Sequence, residues 1–159
     1  MVITVELDNY TVKKVLIDQG SSVDILYWTT YQKLQLPTNA MIPYDEPIYG
    51  FSGEKVSTCG YIDLHTVFRD GTQTKTIPIR FLVVDVPTSY NVLLGQPSLN
   101  TLGVVVSMPH LAMKFPSPSG DILTIHATNS SHKNATWLAY VHNYPSYKQT
   151  TLNAHSTLT

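Results

Sequence analysis

The apolar residues of this chain recur in short bursts, and most bursts end at a glycine, a proline or a pair of turn-forming polar residues. Val2, Val5 and Leu7 mark a first β-rich run and residues 10–17 a second, with Asp8-Asn9 suited to the turn between them. Tyr27, Trp28, Tyr31 and Leu34 fall near helical spacing, so a short helix is expected over residues 29–35, stopped by Pro37. Residues 38–47 contain two prolines and no sustained period, which predicts irregular chain. Ile48-Tyr49 and residues 55–64 read as strands on either side of Gly50-Phe51-Ser52-Gly53-Glu54, whose two glycines suit a hairpin tip. An ordinary exposed turn accounts for that stretch equally well. A second hairpin is expected at Asp70-Gly71, between residues 62–68 and 74–84, with Pro78 forcing an edge or a bulge. Phe81-Leu82-Val83-Val84 is continuous, which predicts a strand buried on both faces.

The second half repeats this grammar. Val92-Leu93-Leu94 runs into Gly95, and a helix is expected over residues 97–102 with Pro97 near its start. In outline this echoes Leu16-Ile17 followed by Asp18-Gln19-Gly20, a faint internal similarity that chance also produces. Residues 104–106, 111–115 and 122–125 read as further strands. From Ala127 onward the chain is rich in Ser, Thr, Asn and His apart from residues 137–141, and is expected to be a loosely ordered tail or a linker. The whole reads as one mostly β domain over residues 1–126, a closed or partly closed barrel with short helices, followed by a polar segment over 127–159.

Composition removes several classes of function. A chain of 159 residues has room for one real core. Its formal net charge of −1 carries no electrostatic footprint for nucleic acid. Cys59 is the single cysteine and the six histidines are scattered, so neither a disulfide framework nor a Cys- or His-based metal site is expected. The opening residues lack the basic and apolar regions of a signal peptide, and no apolar run is long enough to cross a membrane. The Asn-x-Ser/Thr triplets at Asn129 and Asn134 are then chance matches in a polar segment. An intracellular, cytoplasmic location is expected, with no cofactor.

The chemistry concentrates at Asp18. A strand burying Val15, Leu16 and Ile17 delivers this acid to the edge of the apolar interior. Gly20 permits a tight turn there, and Ser21 and Ser22 offer hydroxyls to the backbone or to a carboxylate. The residues alone leave two readings, a turn acid closing a strand or a catalytic group.

Three motifs then combine in a fixed order: Val15-Leu16-Ile17-Asp18-Gln19-Gly20-Ser21-Ser22, Gly50 to Glu54, and Tyr90-Asn91-Val92-Leu93-Leu94-Gly95-Gln96-Pro97. With Phe81-Leu82-Val83-Val84-Asp85 and Met113-Lys114-Phe115-Pro116, they resemble the retropepsin-like aspartic protease region of plant gypsy-type LTR retrotransposon polyproteins. The resemblance covers about residues 1–126. It implies a closed β-barrel forming one lobe per chain and an aspartic endopeptidase that cleaves a polyprotein. It assigns Asp18 as catalytic, Gln19, Gly20, Ser21 and Ser22 as the active-site loop, and Gly50, Phe51, Ser52, Gly53 and Glu54 as a substrate-covering flap. Leu93, Leu94 and Gly95 form a second turn motif, and no metal is involved. No other Asp in the chain precedes an x-Gly-Ser turn, so a working site requires a second copy of the chain, with a polypeptide as substrate.

One position departs from that pattern. Gln19 stands where the family usually carries a Thr or Ser whose hydroxyl bonds across the dimer. Two classes therefore stay open: an active homodimeric protease, and a non-catalytic retropepsin-like module kept for dimerisation or peptide binding.

Overall fold

A computed structural model describes residues 1–37, 39–49 and 53–128. β1 (Val2–Leu7) and β2 (Tyr10–Ile17) form an antiparallel hairpin with Leu7 opposite Tyr10. Asp8 turns the chain with φ of 48°, a conformation that Asp and Asn tolerate better than most residues. β3 (Asp24–Tyr27) runs directly into the helix α1 (Trp28–Lys33), which ends where Gln35 adopts φ of 49°, two residues ahead of Pro37. A short hairpin pairs β4 (Ile48–Tyr49) with β5 (Lys55–Val56). The long ribbon of β6 (Gly60–Asp70) and β7 (Gln73–Val84) is closed by Gly71-Thr72, with Asp70 opposite Gln73.

β8 (Val92–Leu94) leads into the helix α2 (Gln96–Leu102), and β9 (Val105–Ser107), β10 (Ala112–Pro116) and β11 (Ile122–His126) form a separate three-stranded sheet. Six strands close into a barrel in the order β1-β2-β8-β3-β7-β6, with Glu6 opposite Val67 completing the circle. The expected hairpins, the continuous strand at Phe81 and both short helices are all present. Pro78 sits opposite His65 with no register shift, so it makes no bulge. β3 joins β7 only from Phe81 onward, so the missing N–H of Pro78 falls where β7 is paired on one side alone.

One expected strand is broken. Residues 55–64 divide into β5 and the start of β6, because Gly60 passes so close to Ile42 that a Cβ there would lie 2.5 Å from the Ile42 carbonyl oxygen. The Ile42–Tyr61 backbone bonds hold that crossing, at 2.8 Å in each direction. The faint similarity between residues 16–20 and 92–95 has a spatial counterpart: β2 and β8 are parallel neighbours, with Leu16 beside Leu93 and Ile17 beside Leu94.

The consecutive apolar runs are explained by two cores. Val15, Ile17, Leu26, Phe81, Val83, Val92 and Leu94 point into the barrel. Their neighbours Leu16, Ile25, Tyr27, Leu82, Val84 and Leu93 point the other way, into a second cluster completed by Tyr90. Each of these four strands is therefore covered on both faces, which is why alternation disappears from its sequence. The three-stranded sheet is fastened by an edge-to-face contact of Phe68 with Phe115, their ring centres 5.8 Å apart. The Lys75 ammonium donates to the carbonyls of Leu102 and Pro116, and the Thr124 N–H to the Asp70 carboxylate. Backbone bonding continues through Ala127 and Thr128, whose N–H groups donate to Leu111 and Val2. Most of the expected polar segment, residues 129–159, lies outside the described residues.

Candidate active site

Strand alternation decides where Asp18 stands. Leu16 faces the second cluster, so Asp18, two residues on, continues the same face at the end of β2. Asp18 is 5% exposed, and its Oδ1 accepts the Gly20 N–H at 2.9 Å. The Asp18 N–H donates to the Leu94 carbonyl at 2.9 Å, which prolongs the β2–β8 ladder by one bond. The Ser21 N–H closes the loop onto the Asp18 carbonyl at 3.3 Å, while the Ser21 hydroxyl donates to the Val23 carbonyl at 2.9 Å. Gln19 and Gly20 are exposed at the loop tip, and Ser22 is exposed beside it.

The turn after β8 supports this loop from behind. The Gln96 N–H donates to the Ser21 carbonyl at 2.8 Å. Gly95 is required by space: a Cβ on it would lie 2.3 Å from the Val23 carbonyl oxygen and 2.7 Å from that of Ser21. Leu93 and Leu94, the rest of that motif, are fully buried on opposite faces of β8. The structure thus brings Asp18, Ser21, Leu94 and Gly95 into direct contact, from two stretches far apart in sequence.

Over the same face lies the β4–β5 hairpin. Ile48 and Val56 pack against the cluster of Leu16, Ile25, Tyr27, Tyr90 and Leu93, and Tyr49 is 68% exposed. The tip residues Gly50, Phe51 and Ser52 lie outside the described residues. Gly53 is exposed with φ of 86°, and Glu54, just ahead of β5, carries a buried Oε2 with no hydrogen-bond partner among the described residues. Below, an Arg80 guanidinium stacked 4.3 Å from the centre of Tyr61 and paired with both Asp63 oxygens braces the ribbon that carries the hairpin.

Sequence reasoning missed three parts of this neighbourhood. Tyr27 is 1% exposed, and burial, reinforced by the nearby Asp18 and Tyr90, pushes its hydroxyl well above the usual tyrosine range. Burial likewise pushes Tyr90 up to about 12. Both hydroxyls stay neutral at any working pH, so neither adds a charge near Asp18. The third part is Asp24, 4% exposed, whose Oδ1 accepts the Gly95 N–H and the Ser98 hydroxyl, each at 2.7 Å. An open cleft of about 490 Å³ flanks the loop, lined by Ser22, Asp24, Tyr44, Arg80, Ser98 and Thr101 among others. No group of three or more His, Cys, Asp or Glu residues suited to a metal occurs among the described residues.

Burial pushes the Asp24 carboxyl above the usual carboxylate range, partly offset by the bonds from Ser98 and Gly95. The native chain therefore keeps a proton that the unfolded chain, with its carboxyl titrating near about 3.9, has released. Stability from this group is present at low pH and is lost as pH rises from that value through the raised one. Asp24→Asn carries no charge to desolvate. Its melting temperature minus that of the unmodified chain is expected to become more positive between pH 4 and pH 7. A difference that stays flat across that window would mean that Asp24 is not desolvated.

Comparison with solved structures places this geometry. The retroviral protease-like domain of Ddi1 from Leishmania major superposes with a TM-score of 0.60 at 14% identity, over 82% of this chain and 97% of that one. EIAV protease in an inhibitor complex matches at 0.49 with 22% identity, over 67% of this chain and 91% of that one. A retropepsin-like aspartic protease from Rickettsia conorii matches at 0.47 with 18% identity, covering 78% and 80%. No protein-family model and no curated protein sequence matches the chain. This chain has the retropepsin-like fold, a mostly β architecture built on a closed six-stranded barrel.

Proposed function

We propose that the chain is an aspartic endopeptidase of the retropepsin type, in which Asp18 from each of two copies forms the catalytic pair. The observation that carries this reading is the placement of Asp18: a nearly buried carboxyl, fixed by the Gly20 N–H, at the end of a barrel strand and on the face the β4–β5 hairpin covers. A single such acid is half of the chemistry. Two carboxylates about 3 Å apart repel by roughly 5 kcal/mol at an effective dielectric near 20. That is about four pKa units, so the pair holds one proton between them and titrates as a unit.

The division of labour follows. The ionised carboxylate takes a proton from a water as its oxygen bonds to the peptide carbonyl carbon, while the neutral acid gives its proton to the carbonyl oxygen. Collapse of that tetrahedral species breaks the C–N bond, with a proton passing to the leaving amine. The segment from Gly50 to Glu54, which links β4 to β5, takes the role of a flap that closes on an extended peptide and excludes water. The substrate is a polypeptide, and the setting is a plant gypsy-type LTR retrotransposon polyprotein, cut in the cytoplasm without nucleic acid or membrane taking part.

Gln19 favours a second reading, a non-catalytic dimerisation or peptide-binding module, because the small hydroxyl expected beside the catalytic acid is replaced by a longer amide. Its exposure at the loop tip leaves it available to a second chain. If it bonds across the two-fold axis, Gln19→Thr is expected to change cleavage by no more than about threefold, since amide and hydroxyl each supply a donor and an acceptor. Sedimentation of both forms with a peptide-cleavage assay decides between the readings. An active dimer of the unmodified chain supports the protease. An inactive monomer that Thr rescues would overturn it for the natural sequence.

A further inference from the structure

The Asp18 loop is bonded to the turn behind it at two points, through the Leu94 carbonyl and the Gln96 N–H. Those bonds place Asp18 only if the turn itself is fixed. Gly95 precedes α2 but has no side chain with which to cap it, and no side-chain cap of that helix is present. The acceptor comes instead from another strand: Asp24 on β3 reaches across to the Gly95 N–H and the Ser98 hydroxyl. One oxygen of that carboxyl accepts both donors, each at 2.7 Å, so a single side chain ties the backbone of the turn to the first turn of α2. Keeping an acid 4% exposed is also costly, and the mechanism assigned to Asp18 makes no direct use of it.

We propose that Asp24 is a positioning residue for Asp18: by holding the Gly95 N–H and the Ser98 hydroxyl it clamps the Leu94–Gln96 turn against the active-site loop and sets where the Asp18 carboxyl stands. The inference rests on Asp18 being the catalytic acid. The chain of contacts is continuous. Asp24 fixes Gly95, its neighbours Leu94 and Gln96 bond Asp18 and Ser21, and the lack of a Cβ at Gly95 lets the two loops approach closely. A staple that merely held β3 to α2 would affect how much protein folds, not what each folded site does.

Ser98→Ala removes one of the two bonds while leaving the Asp24 carboxyl and its bond to the Gly95 N–H in place, and Asp24→Ala removes both. Kinetics per folded site, counted by titration with a statine-type peptide, are expected to show kcat reduced about tenfold for Ser98→Ala and further for Asp24→Ala, with KM within about twofold. Amide hydrogen exchange gives a readout that needs no activity. In Ser98→Ala the N–H groups of Asp18, Gly20 and Ser21 are expected to exchange at least about tenfold faster, while those of β6 keep their rates. Unchanged loop exchange, or a kcat per folded site equal to that of the unmodified chain, would overturn the clamp. If the unmodified chain shows no Asp18-dependent cleavage, the protease reading fails, and the exchange measurement alone decides for or against the clamp.

Discussion

Asp18→Asn is expected to abolish peptide cleavage, lowering kcat by at least about 10³-fold, while the protein stays folded. The magnitude reflects the loss of general acid–base chemistry, which contributes roughly 10²–10⁴ on its own. Asn cannot take a proton from water, and the shared proton of the pair disappears with the second ionisable group. The fold should survive because the amide oxygen of Asn can still accept the Gly20 N–H that Asp18 Oδ1 accepts at 2.9 Å. The backbone bond from residue 18 to the Leu94 carbonyl is unaffected. Removing a nearly buried charge costs nothing in desolvation, so the melting temperature should stay within a few degrees of the original. Cleavage at an unchanged rate in this variant would place the activity elsewhere in the chain or outside it.

Gly95→Ala is expected to be the most disruptive single methyl in the barrel. The added carbon would lie 2.3 Å and 2.7 Å from two backbone carbonyl oxygens, those of Val23 and Ser21. Neither oxygen can swing aside like the end of a side chain, so the turn and the Asp18 loop must separate. Overpacking of this kind costs about 3 kcal/mol, which for a domain of this size lowers the melting temperature on the order of 10 °C. The separation also breaks the register that holds Asp18, so activity should fall further than stability does. Calorimetry and a cleavage assay on the folded fraction check both halves. A variant that melts with the unmodified chain would show that the turn and the loop are not in contact.

Much of the fold was legible in the chain because local rules and tertiary demands agree there. The run from Val15 to Ile17 ends at Asp18 as its pattern implies, and Asp70-Gly71, Pro97 and Phe81 to Val84 each sit in the element their residue types favour. What stayed hidden depends on contacts between distant residues. Asp24 looks like a strand-opening acid until Ser98, 74 residues away, is placed against it. Tyr27 reads as an early member of a helical stripe, yet it ends β3 and is buried among residues of the Asp18 face. The break between β5 and β6 follows from the close passage of Gly60 by Ile42, which no local pattern records. The parallel pairing of β2 with β8 turns a faint sequence echo into a spatial relation, since both strands end in the turns that bond one another.

The central claim is that two copies of Asp18 make one site, and mixing chains tests it directly. Unmodified chain and Asp18→Asn chain are combined at fixed total concentration, allowed to exchange partners, and assayed for peptide cleavage. If each site needs an ionisable Asp18 from both chains, activity follows the square of the unmodified fraction, about one quarter of full activity in an equal mixture under random pairing. Activity that falls in simple proportion, to about one half in that mixture, would mean that each chain carries a complete site and would contradict the shared pair.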